Sequence, residues 1–408
     1  MSDTKQIKDH KQIGQELELF FTNDIAPGAP FWMPKGMVIF KELEKYIREL
    51  LDENGYVEIS TPIMVKSDLF KQSGHWDKFG VNNMYNLMLD DEEEGSTDQY
   101  TLKPMNCPES TVFFRFRPRS YRELPMRLSE IGRLHRREKS GEVNGLLRVR
   151  QLTMDDAHLY ITEDQIFSEV GNILDMMIEF YTKFGFDPEF KLATRPEKFA
   201  GTKKNWEVAE KDLEEVLKKK NLKYQMKPQD GAFYGPKIDV HIKDSLGREW
   251  QLATVQLDFW LSDAFDLKYV DKDGKEKKPV VIHRAILGSF ERFIGILTEH
   301  YQGAFPLWLS PIQSIILPIA DRHLEAALKV SEELKKRGVR VSVDDRSETL
   351  QAKIRDATLQ KIPYICIIGD KEIESNSISV RTRDGKDLGV MGLSQFLEKV
   401  TEQIGSKK

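Results

Sequence analysis

The stretch that most constrains this chain runs from Arg127 to His158, RLSEIGRLHRREKSGEVNGLLRVRQLTMDDAH. Residues 126–135 alternate. Met126, Leu128, Gly132 and Leu134 share one phase, and Arg127, Ser129, Arg133 and His135 the other, which is the period of a half-buried strand. KSGEVNG (139–145) is rich in turn residues and lets the chain reverse. From Leu146 onward the even positions carry Arg148, Arg150, Asp156 and His158, and a regular strand puts them on one face, within reach of one ligand. The pattern predicts two neighbouring strands joined by a polar loop.

Charge marks the same region. Between Arg115 and Arg150 there are 11 Lys+Arg and 4 Glu, a net of +7 (11 − 4), in a chain whose total is −5. A run of this kind is often only solvated surface. Here the arginines fall on predicted sheet, with Glu130, Glu138, Asp155 and Asp156 spaced among them. The planar guanidinium fits polyphosphate or carboxylate, while a neighbouring carboxylate accepts from an amine. The mixture suits a phosphate-rich ligand that also carries an amino group.

A length of 408 residues suggests two domains, and 40% hydrophobic content is ample for two cores. No apolar run approaches the roughly 20 residues of a membrane helix. The polar start MSDTKQIKDHKQ has no signal-peptide core. Two cysteines, Cys107 and Cys366, cannot make a disulfide framework, which points to a reducing, cytoplasmic location. The negative total does not advertise nucleic acid, so any such contact must come from local patches.

Along the chain, residues 1–20 read as a polar arm entering a helix. Ile39, Phe40, Leu43, Tyr46, Ile47 and Leu50 recur at helical spacing between Met37 and Asn54, with Gly55 as the stop. YVEIST alternates as a strand that Pro62 ends, and DDEEEGSTDQ (90–99) reads as a solvated hairpin tip. Thr162 and Gln165 form a capping box for a helix reaching about Phe184, with Ile166, Val170, Ile173, Leu174, Met177 and Tyr181 on its apolar face. Lys203 to Lys220 is a second amphipathic helix. GAFYGPKIDVHI, REWQLATVQLDFWL and PVVIHRAIL read as strands, and SFERFIGILTEHY as a closing helix. This predicts an α+β fold, a mixed, mostly antiparallel sheet flanked by helices, over residues 1–305. Phe305 to Pro311, with two prolines and a tryptophan, marks the boundary. Beyond it, residues 306–408 alternate short strands with helices, an α/β domain of about 100 residues.

With these elements in place, HRRE, its loop, GLLRVR and DDAH resemble motif 2 of the class II aminoacyl-tRNA synthetases, in the threonyl form. MNCP (105–108), GAFYGPKI (231–238), VQLDF (255–259) and HRAILGSFERFIGIL (283–297) follow in family order, so the resemblance covers nearly the whole chain. The 37–54 helix, its strand and Pro62 are similar to motif 1, which implies a homodimer; alone they read as an ordinary helix–strand pair. The resemblance implies a ligase that joins L-threonine to tRNA(Thr) with ATP and Mg²⁺. It also implies one zinc ion per subunit selecting threonine over valine, and a C-terminal anticodon-binding domain. The family's N-terminal editing domain is expected to be absent, because the motif 1 helix begins by about residue 37.

The roles carry over residue by residue. Arg136 bridges the substrate carboxylate and the α-phosphate, and Arg292 and Arg148 take the γ-phosphate. Glu138 receives the adenine amino group, and Gln251 contacts the nucleotide. Leu152 stands where the family stacks adenine on phenylalanine, a loss on the order of 1 kcal/mol. Cys107, His158 and His283 match the zinc ligands, and Asp156 and Tyr234 hold the amino group. In sequence the three ligands are scattered, without the short spacings of a structural zinc site, and each also reads as a buried thiol or core histidine. His75, in GHWDKF, relays a proton at the terminal tRNA ribose. Lys237 faces tRNA, and Glu372 and Arg381 read the anticodon. Two positions depart from the pattern: Glu109-Ser110 follow MNCP where Gly-His is familiar, and Ser347 stands where asparagine is frequent. Cys366, inside YICII, reads as packing. Two other readings stay open. A non-catalytic paralogue would be expected to lose Arg136, Arg148 or Arg292, and a prolyl or histidyl enzyme would not need the Cys/His/His set.

Overall fold

The computed structural model describes residues 7–91, 96–244 and 247–407. It forms two compact units: Asp24–Pro30 with Tyr46–Phe293, and Met1–Asn23, Phe31–Lys45 and Ile294–Lys408 together. The contacts do not divide at the expected boundary of residue 305: residues 31–45 and 294–305, with the first residues, group with the C-terminal unit.

The larger unit is built on one eight-stranded sheet. In chain order the strands are β1 (Val57–Glu58), β2 (Met126–His135), β3 (Gln151–Ile161), β4 (Glu189–Ala193), β5 (Tyr224–Lys227), β6 (Lys237–Lys243), β7 (Glu249–Asp258) and β8 (Val280–Ser289), laid side by side as β5-β4-β6-β7-β8-β3-β2-β1. Only β4–β5 and β1–β2 run parallel; the other neighbours are antiparallel, the mixed sheet anticipated. β2 and β3 pair continuously from Met126↔Tyr160 to His135↔Gln151.

Three expected strands come out shorter, each for a local reason. β3 begins only at Gln151. Asn144 instead bridges Arg148, and the Arg150 amide donates to the Gly28 carbonyl at 2.7 Å. Arg148 and Arg150 therefore leave the strand face expected for them, and Asp156 and His158 alone keep it. β1 is two residues rather than YVEIST, because the Thr61 amide turns to the Glu130 carboxylate at 2.9 Å. GAFYGP is a loop, and strand β6 starts after it at Lys237. Gly235 is required there: a Cβ would sit 1.6 Å from the Leu257 carbonyl oxygen.

Helices cover the sheet as their apolar faces demand. α1 (Pro34–Glu53) precedes β1, and α2 (Cys107–Arg115) starts at the MNCP cysteine. α3 (Ile166–Lys183) is entered through the Thr162 amide donating to Gln165 Oε1 at 3.0 Å, and it buries all six apolar residues named for it. The Tyr181 hydroxyl at its end donates to the Ile286 carbonyl of β8 at 2.6 Å. α4 (Lys203–Lys219) buries Trp206, Leu213, Val216 and Leu217, and α5 (Phe290–His300) follows β8 directly. A separate sheet joins Met64–Lys66, Ser96–Leu102 and Tyr85–Asp91. The tip of the predicted acidic hairpin, residues 92–95, lies outside the described residues.

The second unit carries a five-stranded sheet in the order Val341–Val343, Ser314–Pro318, Tyr364–Ile368, Ser377–Thr382, Asp387–Gly392. The first three strands are parallel, and helices Leu324–Lys336, Leu350–Leu359 and Leu393–Gly405 complete the expected α/β pattern. Cys366 is buried among Ile316, Leu334, Val380 and Phe396, as a packing residue. Among the described residues no helix is long and apolar enough to cross a membrane.

Candidate active site

A cavity of about 300 Å³ opens on the β3 face of the large sheet, walled by residues that include His75, Arg136, Asp156, Tyr234, Gln256 and His283. Strand register assembles its floor. His158 on β3 lies directly opposite His283 on β8, and Gln256 on β7 is the other cross-strand partner of His283. Cys107 enters from the N-terminus of α2.

The ligating atoms of Cys107, His158 and His283 all lie within 4.8 Å of one another, and all three residues are buried. His158 Nε2 and His283 Nδ1 have no hydrogen-bond partner. Buried nitrogens left in this way are costly unless something takes their lone pairs. His283 Nε2 is 2.8 Å from Asp258 Oδ2. A carboxylate only accepts, so it fixes the ring proton on Nε2 and turns the bare Nδ1 inward, the outer-shell arrangement of a metal-ligating histidine. Burial pushes His158 well below the ordinary histidine range, keeping it in the neutral, ligating form. Burial, with Asp156, Asp258 and Glu109 nearby, pushes the Cys107 thiol well above its usual value, so a thiolate there calls for a cation beside it. One soft sulfur and two imidazole nitrogens converging on a point fit Zn²⁺ with a fourth position open.

Beside the cluster, Asn106 Nδ2 donates to Asp156 Oδ2 at 3.0 Å, and burial raises the Asp156 carboxyl. The Tyr234 ring lies 4.8 Å from that of His283, and its hydroxyl donates to Gln256 Oε1 at 2.5 Å. His75 is buried with Nδ1 on Ser73 Oγ at 2.8 Å, and burial, then the neighbouring His283, pushes its pKa down to about 3. It is a neutral imidazole at any physiological pH.

The arginines converge on the same region. Arg136 follows β2, its Nε donating to the Pro104 carbonyl at 3.0 Å and its guanidinium 5.9 Å from the Phe79 ring. Arg292, on α5, donates from Nε to the Leu147 carbonyl at 2.8 Å. Arg148 pairs with Glu138 at 2.7 Å and with Glu142 at 3.0 Å. Burial lowers the Arg292 pKa, and repulsion from Arg136 and Arg148 lowers it further. Mutual repulsion of this kind, only partly offset by Glu138 and Glu142, suits a site that takes up a further anion.

Other expected residues are placed differently. The Glu138 carboxylate faces Arg148. Leu152 is buried against Leu134 and Val149, while Met154, two residues on, lines the cavity. Gln251 sits at an exposed position of β7, away from the cavity wall that Gln256 joins. The Lys237 ammonium is directed at Asp239, 2.5 Å away. In the second unit the Glu372 carboxylate accepts from the Gly369 amide at 3.0 Å, and Arg381 pairs in register with Ile365. Of the departures, Ser110 donates to the Cys107 carbonyl and shares a 2.7 Å hydrogen bond with Tyr160, and burial lifts Glu109 to about 8. Sequence reasoning missed Asn106, Thr254, Gln256 and Asp258. The signal for the last three was strand phase, since 254, 256 and 258 share the β7 face turned to His283.

A mixed, mostly antiparallel sheet with arginines gathered at one face is the layout expected of a class II synthetase core, and here it also carries a buried thiol–imidazole cluster. The family described as the tRNA synthetase class II core domain (G, H, P, S and T) matches residues 87–301, and the anticodon binding domain family matches 313–403. The threonine–tRNA ligase of Caldanaerobacter subterraneus is 47% identical over 407 residues, covering 100% of this chain and 62% of that protein. That of Thermotoga maritima is 48% identical over 404 residues, again with 62% of its length covered. The crystal structure of the RNA binding domain of threonyl-tRNA synthetase from Cryptosporidium parvum superposes with a TM-score of 0.92 at 40% identity, covering 97% of this chain and 98% of that one. The chain belongs to the threonyl-tRNA synthetase family of class II synthetases. It spans 62% of the length of the curated relatives it matches.

Proposed function

We propose that this chain activates L-threonine with ATP, releasing pyrophosphate, and passes the threonyl group from the adenylate to the 3′ end of tRNA(Thr). The carrying observation is that Cys107 and His283 line one cavity with Asp156, Tyr234 and Arg136, with the ligating atom of His158 within 4.8 Å of theirs. Arg136, Arg148 and Arg292 bind the triphosphate and hold the α-phosphorus in line with the threonine carboxylate, spreading the charge that develops there. Mg²⁺ enters on the phosphates. Asp156 and Tyr234 accept from the N–H groups of the substrate amine, which is neutral when it is seated on the metal. When bound by Cys107, His158 and His283, zinc supplies a Lewis-acid seat for the amino and hydroxyl groups, which valine cannot fill. His75, neutral and tied to Ser73 through Nδ1, is too weak a base to hold the proton of the attacking ribose hydroxyl, so its part is to orient that hydroxyl and pass the proton on. Residues 1–305 act as the catalytic domain, and 306–408 read the anticodon through Glu372 and Arg381.

Exposed Met64, Leu87 and Leu89 share one face of the small sheet, and Val57 is exposed on edge strand β1. Apolar surface of this kind supports a homodimer. A ligating thiol at Cys107 supports a reducing, cytoplasmic setting. The test is ATP–pyrophosphate exchange across a panel of amino acids. Exchange should depend on an added amino acid and be fastest with threonine; a higher kcat/KM with any other amino acid, or exchange with none, overturns the reading.

A further inference from the structure

Behind the Tyr234 wall of the cavity runs a chain of hydrogen bonds with a single direction. β6 and β7 pair Lys237 with Gln256 and Asp239 with Thr254. Lys237 Nζ donates to Asp239 Oδ2 at 2.5 Å, and Thr254 Oγ1 donates to Asp239 Oδ1 at 2.8 Å. Gln256 Nε2 donates to Thr254 Oγ1 at 3.1 Å, and the Tyr234 hydroxyl donates to Gln256 Oε1 at 2.5 Å.

The sense of the chain follows from its buried end. An ammonium only donates and a carboxylate only accepts. Asp239, 2% exposed and held by Lys237, therefore claims the single Thr254 proton. The Thr254 oxygen is left as an acceptor, so the Gln256 amide must face it with nitrogen and face Tyr234 with oxygen. The Tyr234 proton is then committed away from the cavity, and its lone pairs are what a ligand meets. Without the anchor, Thr254 is free to donate to the Gln256 oxygen. The amide then turns over, and the Tyr234 hydroxyl aims its own proton into the cavity.

We infer that Asp239 and Lys237 form a polarity anchor that, through Thr254 and Gln256, makes the Tyr234 hydroxyl an acceptor for an N–H of the substrate amino group. Thr254 and Asp239 are thus positioning residues for amino-group specificity, and the Lys237 ammonium serves the cavity wall. This rests on the reading above that the site takes an amino acid by its amino group.

Thr254→Val cuts the chain with a side chain of the same shape. In threonine-dependent pyrophosphate exchange it should raise the threonine KM about tenfold or more, the usual consequence of leaving a buried hydrogen-bonding group unmatched. Its kcat and ATP KM should stay within about threefold. Thr254→Ser, which keeps the hydroxyl, should restore the wild-type KM. Inhibition by 3-hydroxybutyrate, which keeps the hydroxyl and carboxylate but has no amine, should be unchanged in the valine variant. Asp239→Asn, which no longer dictates the direction of the chain, should move the threonine KM the same way and covers the case in which the valine variant fails to fold. An unchanged threonine KM, a serine variant no better than valine, weakened 3-hydroxybutyrate inhibition, or lost zinc would each overturn the inference. Wild-type protein inactive with threonine would instead sink the reading of the site itself.

Discussion

Arg136 lines the cavity with its Nε donating to the Pro104 carbonyl, and in the proposed reaction it bridges the two reacting groups. Arg136→Ala should cut threonine-dependent exchange by at least about 10²-fold, the scale of a lost charge-stabilising donor. Leu152→Phe should change exchange far less. Because Leu152 is buried against Leu134 and Val149, the larger ring should cost about 1–3 kcal/mol of stability. Steady-state exchange with a parallel denaturation curve checks both, and near wild-type exchange by Arg136→Ala would unseat its assignment. The Cys/His/His cluster should carry one zinc per chain by elemental analysis. Cys107→Ser should lose metal and threonine binding together while ATP binding persists. His75 gives a pH signature. Its pKa of about 3 lies below the ordinary 6.5, so on acidification the unfolded chain takes the proton first. That contribution is fully present above pH 6.5 and is lost as pH falls toward 3, by up to about 1.4 kcal/mol per pH unit. His75→Gln should show a shallower fall in stability between pH 6.5 and 5 than the wild type; parallel curves would mean the residue is already solvated.

At the level of elements, what could be read from the sequence was whatever strong periodicity dictates. Alternation from Met126 to His135 returned β2 to the residue, and the Thr162–Gln165 box with its apolar stripe returned the end of α3 to within a residue, its start lying three residues on because Glu163–Gln165 form a 3-10 turn. Turn chemistry was harder to see. The even-numbered arginines at 148 and 150 imitate a strand, yet Asn144 and Gly145, the latter at φ 51°, fold the backbone into a turn there, and β3 starts later. β4 and β5 passed unread because one is five residues long and the other is an exposed edge, so neither carries a period. The metal cluster was legible only through resemblance, since its members sit on α2, β3 and β8 and meet only after the sheet is ordered. Gln256 was reachable by strand phase, since it alternates with Thr254 and Asp258 along β7. The loop that aims Tyr234 depends on Gly235 lying against β7. Gly235→Ala would drive a Cβ to 1.6 Å from the Leu257 carbonyl, so the loop must shift. Threonine KM should rise by an order of magnitude or more with the sheet core intact. Retention of wild-type KM would show that the loop tolerates displacement.

For the whole molecule, the question is how well one cavity sorts amino acids. A chain charge of −5 leaves the field to the local +7 of residues 115–150, so under the proposed function attraction of polyanions is local while selection falls to the small polar pocket. A site built around a hydroxyl rejects the methyl isostere severely, because the pocket's polar groups are then left unmatched. Valine should be activated about 10⁴-fold less well or worse. Serine presents the same amine and hydroxyl and lacks one methyl, a difference of only about 10–200-fold. The described cavity is walled by Met105, Met154 and Phe233 as well as by its polar residues, and none of these turns a smaller substrate away. The ratio kcat/KM in pyrophosphate exchange should therefore fall in the order threonine, serine, valine, with the second gap much the larger. The purified 408-residue chain, given tRNA(Thr) and serine alone, should accumulate detectable Ser-tRNA. Serine rejected as strongly as valine would mean that a contact to the methyl group, and not the hydroxyl, sets selectivity.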